Sequence, residues 1–138
     1  MKAAFILVPS ESRRLIAKGV SAMKEIKAAR ESGYTIICGG TTNGYVAQEI
    51  LGVTDIPPQK YTAGTICSRV VCTTDADKRS PFPIILFQGE RVKKTIPEAL
   101  NDFHRETVII KGANAIDASG KVGVISSIRV IFPEACFE

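Results

Sequence analysis

Two apolar runs in this chain each end in a glycine-containing loop, and this constrains the fold more than any other feature. Tyr34-Thr-Ile-Ile-Cys38 leads into Gly39-Gly40-Thr41-Thr42-Asn43-Gly44, and Thr107-Val-Ile-Ile110 leads into Lys111-Gly112-Ala-Asn114-Ala-Ile-Asp117. Runs of four or five apolar or β-branched residues bounded by glycine suit buried strands. The first loop is followed by a helical pattern over 43–51, with Val46, Ala47, Ile50 and Leu51 on one face and Gly52 as a stop. A strand that turns at glycines into a helix is the unit of an α/β fold with a parallel sheet.

The residues before it extend the pattern. Residues 3–8 are continuously apolar, which predicts a first strand covered on both faces. From Glu11 to Ser32 apolar residues recur at helical spacing, at Leu15, Ile16, Val20, Met23 and Ile26, and Gly33 ends the run. Strand, helix, strand, helix over the first third predicts a parallel-rich sheet with helices packed on it. Farther on, Thr65 to Thr73, Pro83 to Phe87 and Ile128 to Pro133 read as strands, and Val122 to Ser126 is apolar again. Gly89-Glu90 turns the strand over Pro83 to Phe87 toward a short partner around Val92, and Pro97 opens a short helix through Phe103. No repeat, low-complexity tract or linker divides the 138 residues, so a single domain over 1–138 is expected.

Bulk properties exclude several function classes. The net charge of +4 comes from scattered cations, with no basic run longer than two and no aromatic interleaving, so no nucleic-acid partner is expected. The apolar opening is closed by Pro9-Ser10-Glu11 and is far too short to span a bilayer, so no membrane partner is expected either. The four cysteines, Cys38, Cys67, Cys72 and Cys136, form no Cys-x-x-Cys pair and there is one histidine. Buried free thiols in a reducing cytoplasm, and no metal site, follow as expectations. His104 sits in a polar helix end without a visible partner and reads as a surface residue.

The loop Gly39-Gly40-Thr41-Thr42-Asn43 is the first candidate site. Glycines there let a ligand approach the backbone, the first N–H groups of a helix are unpaired, and the helix dipole favours an anion. Thr41, Thr42 and Asn43 add side-chain donors. The alternative is a tight turn with a Thr or Asn cap and no ligand. The pattern is neither Gly-x-Gly-x-x-Gly nor a P-loop, so no cofactor is expected. The second candidate is Lys111 as a cation, with Gly112, Asn114 as a donor and Asp117 as proton acceptor or anchor; an Asp-x-Ser-Gly turn is its alternative. Ser10 and Arg13, at the start of the first helix, are a third candidate for reaching the same sheet edge.

These two loops carry a resemblance. Residues 17–51, with Gly-Gly-Thr-Thr after the strand, resemble the start of the superfamily of ribose-5-phosphate isomerase, glucosamine-6-phosphate deaminase and the CoA transferases. They are particularly similar to the sugar-sensing domain of DeoR-type repressors. Val108 to Gly120 resembles that group's second hallmark, a strand followed by Gly-Ala-Asp/Asn-x-x-Asp and a glycine turn. The resemblance covers about half the chain. It implies a Rossmann-like α/β fold, helices on both faces, and a small anionic ligand of the sugar-phosphate kind held by Gly40, Thr41 and Thr42, with Asp117 as the motif's second acid. Two departures stand out. Asn114 occupies a position often held by a catalytic aspartate, and asparagine is no general base. After the motif comes only a short tail, with Glu134 and Glu138 and no further glycine-rich segment, so the chain reads as a minimal or C-terminally shortened member. A binding domain leads; an isomerase or deaminase using Asp117 and Lys111, and a non-catalytic homo-oligomeric or interaction domain, are the alternatives.

Overall fold

The computed structural model describes residues 3–67, 70–125 and 130–131. Its centre is a four-stranded sheet in the order β5-β4-β1-β6. β1 (Tyr34–Ile37) lies between β4 (Ile84–Phe87) and β6 (Val108–Ile110), and β5 (Glu90–Arg91) forms the far edge. All four residues of β1 are buried, as its unbroken apolar run predicts. Alternation along β1 and β4 splits the core in two. Ile37, Ile84 and Leu86 face one layer, with Ala17, Ile26, Val46, Ala47, Ile50 and Tyr61. Tyr34, Ile36 and Ile85 face the other, with Ala99 and Phe103. The first layer is built by α1 (Pro9–Ala22), α2 (Lys24–Ser32) and α3 (Thr41–Leu51); the second by the short α4 (Ile96–Leu100). Helices therefore cover both faces, unequally.

The sheet is mixed rather than parallel-rich. Only β1 and β6 are parallel, while β4 is antiparallel to both β1 and β5. The long connection after α3 brings the chain back at the carboxyl end of β1, where Ile37 faces Ile84, so β4 must run in reverse. That connection holds a hairpin, β2 (Gly64–Cys67) with β3 (Val70–Thr73), where a single strand was expected. One strand of that length would have no sheet to join. A third small sheet joins β7 (Ala115–Ile116), β8 (Val122–Ile125) and β9 (Val130–Ile131).

Two further expectations are corrected. The single helix over 11–32 is two, broken at Met23, whose ψ of 141° is extended. The break lets α1 pack on α3 while α2 turns onto β1 and β4. The predicted first strand, residues 3–8, is not in the sheet: Phe5, Ile6, Leu7 and Val8 are all exposed. Both sides of β1 are already taken by β4 and β6, so the doubly covered position that this run suits is filled. Cys38 and Cys72 are free thiols, but neither is buried as expected: Cys38 is half-buried at the end of β1 and Cys72 is exposed on the hairpin. Glu134, Cys136 and Glu138 lie outside the described residues. No described helix is long and apolar enough to cross a membrane.

Candidate functional site

The Gly39–Asn43 loop lies where β1 and β6 both end. Gly40 has φ 154° and ψ 142°, a region that only glycine enters without strain. That geometry turns the chain straight into α3, ahead of the Thr41, Thr42 or Asn43 that a side-chain cap would use. Gly40 is the N-cap and carries no side-chain bond. The first helical bond runs from Gly44 N–H to Gly40 O at 2.8 Å. The N–H groups of Thr41, Thr42 and Asn43 precede it and have no acceptor among the described residues. Thr41 and Thr42 are half-buried at the same turn.

Asn43 has a different task from the one its sequence position suggests. It is buried, and its side-chain amide donates to Cys38 O at 2.9 Å and Ile110 O at 3.3 Å. Cys38 N–H also donates to Ile110 O, at 3.0 Å. Asn43 thus staples the ends of the parallel strands beneath the loop and positions it. Burial pushes the Cys38 thiol up, and the nearby positive charge of Lys111 partly opposes this. Lys111 itself is exposed, with its ammonium donating to Gly112 O at 3.1 Å. The structure therefore brings Gly39, Gly40, Thr41, Thr42 and Asn43 to one edge with Lys111 and Gly112.

The remaining candidates lie elsewhere. Asp117 belongs to the β7–β8 hairpin, and one carboxylate oxygen accepts from Ser119 N–H (2.8 Å), Ser119 O–H (2.7 Å) and Lys121 N–H (2.9 Å). The Ser119 and Lys121 bonds hold its carboxyl below the usual carboxylate range. Among the described residues no hydrogen bond or ion pair joins it to the α3 loop. Asn114 is exposed and donates its backbone N–H to Gly123 O at 2.8 Å, within the same small sheet. Ser10 lines a shallow cleft of about 500 Å³ between α1 and α3, together with Glu11, Arg14, Leu15, Lys18 and Tyr45. There the Arg14 guanidinium stands 4.7 Å from the centre of the Tyr45 ring; Arg13 does not line it. His104 pairs with Glu106 at 3.0 Å on the surface. Among the described residues no group of three metal-ligating side chains converges.

Tyr61 and Phe82 complete the edge, and no sequence signal singles them out. Tyr61 is fully buried. Its carbonyl accepts from Gly40 N–H at 2.6 Å; its hydroxyl donates to Ile37 O at 2.6 Å and accepts from Ile84 N–H at 3.1 Å. Burial pushes its phenol up to about 12. The Phe82 ring meets Tyr61 edge-on at 5.7 Å and packs over Gly39, where a methyl group would stand 2.8 Å from it. Compared with known proteins, the chain matches no family model, no curated sequence and no solved structure.

Proposed function

We propose that this chain binds a small phosphorylated molecule, of the sugar-phosphate kind, with its anion at the first turn of α3. One observation carries the reading: three successive N–H groups, at Thr41, Thr42 and Asn43, have no described acceptor in a helix that starts without a side-chain cap. Such a turn combines donors with the positive end of the helix dipole. The Thr41 and Thr42 hydroxyls and the Lys111 charge add to it, and the resemblance of both loops to sugar-phosphate proteins supports the ligand class. The Asp117 carboxylate is engaged in its own turn, which favours binding over acid–base catalysis.

A thermal-shift series with phosphate, sulfate, ribose 5-phosphate and glucosamine 6-phosphate tests this. A ligand at about a hundred times its dissociation constant adds about 2.7 kcal/mol. The Thr41→Ala, Thr42→Ala double variant is expected to stay folded, keep the three N–H groups and lose part of that shift with the two hydroxyls. An unchanged shift in the folded variant, or no shift with any anion, overturns the proposal.

A further inference from the structure

Two elements of this chain are each left without the partner that their chemistry suits. Residues 3–8 lead into α1 without helix or strand structure, Val8 being extended, and no hydrogen bond joins residues 3–7 to any other described residue. Ile6 is fully exposed, Phe5 82% and Val8 55%. At the other place, β6 pairs with β1 along one side only, and its outer side meets no strand among the described residues. Ile109, at its centre, is half exposed.

We infer that two copies of this chain associate by exchanging residues 3–8, each segment laid as an added strand along the outer edge of the other copy's β6. The two edges of the main sheet differ in a way that selects this one. β5 is two residues long and carries Glu90 and Arg91, the short charged form that discourages strand addition. β6, Val108-Ile-Ile110, has no charge, proline or bulge to protect it. Its backbone edge offers the N–H and C=O groups that a strand such as residues 3–8 needs.

Composition and geometry agree with a second copy as the occupant. A chain of net charge +4 repels its like, yet residues 3–8 and 107–110 are uncharged, so these two surfaces meet without like charges opposed. The run is continuously apolar rather than alternating, the pattern for a strand covered on both faces. At the edge of the main sheet α2 packs against β6 and covers one face of an added strand, and the exposed Ile109 on β6 offers apolar surface for its contact. Six residues reach about 20 Å, enough to span β6 and its flanks. Reciprocal exchange about a two-fold axis satisfies both segments and both edges at once.

Sedimentation equilibrium over a range of concentrations tests the exchange. The wild-type chain is expected to dimerise. Ile6→Lys and Ile109→Lys place a charge on the donor strand and on the acceptor edge; each is expected to weaken self-association by about a hundredfold or more. Circular dichroism and melting of the diluted variants confirm that the monomer still folds, which the full exposure of Ile6 favours. A chain that is monomeric at every concentration overturns the inference. So does a dimer indifferent to either substitution, because both sides of the exchange are required. A monomer that binds phosphatidylserine vesicles through Ile6 also overturns it, in favour of a lipid surface.

Discussion

The Tyr61 phenol sits where β1 ends and β4 begins, donating to one strand and accepting from the other. Both strand groups are buried with it, so the hydroxyl cannot be replaced there by water at low cost. Tyr61→Phe keeps the ring, its packing and the edge contact with Phe82, and removes only the oxygen. It leaves Ile37 O and Ile84 N–H unpaired, and a loss of about 1 to 3 kcal/mol is expected. Urea denaturation checks this, with an unchanged slope showing that the folded and unfolded surfaces are the same. Asn43 does comparable work from the helix side. Its identity as a donor was readable in the sequence, but its target was not: an asparagine at a helix start serves a cap, a ligand or a strand end equally well until the strands are placed.

At the scale of elements, α3 shows a local preference overridden by a neighbour. Gly44 lies in its first turn and is buried, where alanine is ordinarily the better helix former by about 1 kcal/mol. A methyl group at Gly44, however, would stand 2.7 Å from Pro58 Cα and 3.2 Å from Tyr61 Cβ. The first of these is backbone and does not swing aside. Gly44→Ala is therefore expected to lower stability by about 1 to 2 kcal/mol despite its propensity, as melting of the variant would show. The elements themselves were legible to different degrees. β1, α3 and β6 were readable because apolar period and bounding glycines agree, but β6, expected as a buried strand, lies at the sheet edge with Ile109 half exposed. The split at Met23 was not, since nothing in Ser21-Ala22-Met23 breaks a helix and the cause is the two different surfaces that α1 and α2 cover. The hairpin over 64–73 read as one strand because no glycine, proline or asparagine stands between Cys67 and Val70 in the sequence. The loops that carry the candidate site were found from their glycines, while Tyr61 and Phe82 escaped because only the antiparallel return of β4 brings them there.

For the molecule as a whole, the two ends of β1 are fastened differently. At the carboxyl end the bonds come from backbone, the Asn43 amide and the Tyr61 hydroxyl, all uncharged groups. At the other end Lys94 donates to Asp102 at 2.6 Å and to the Tyr34 hydroxyl at 2.8 Å, and Tyr34 donates to Asp102 at 3.1 Å. This clasp ties the chain around α4 to the start of the sheet. The Lys94 and Tyr34 bonds hold the Asp102 carboxyl below its usual 3.8; the Asp102 and Tyr34 bonds push the Lys94 ammonium above its usual 10.5. A lowered carboxylate contributes stability above its unfolded value and loses it as pH falls through the folded one. A raised ammonium contributes below its unfolded value and loses it as pH rises through the folded one. The clasp is thus complete across neutral pH and is expected to release in strong acid first. Carboxyl-carbon NMR should find Asp102 titrating below 3.8, and Asp102→Asn should remove that part of the acid response.

The staple from Asn43 to Ile110 has a kinetic side. It joins residues 67 positions apart, whereas the turn from β1 into α3 is made of neighbours. Closing so long a loop costs chain entropy before any contact offsets it. The turn can take its shape early in folding, but its footing on the second parallel strand waits until the intervening chain has settled. The edge that holds the free amides is in this sense a late product of folding, and a chain interrupted before β6 would carry the motif without the means to hold it still.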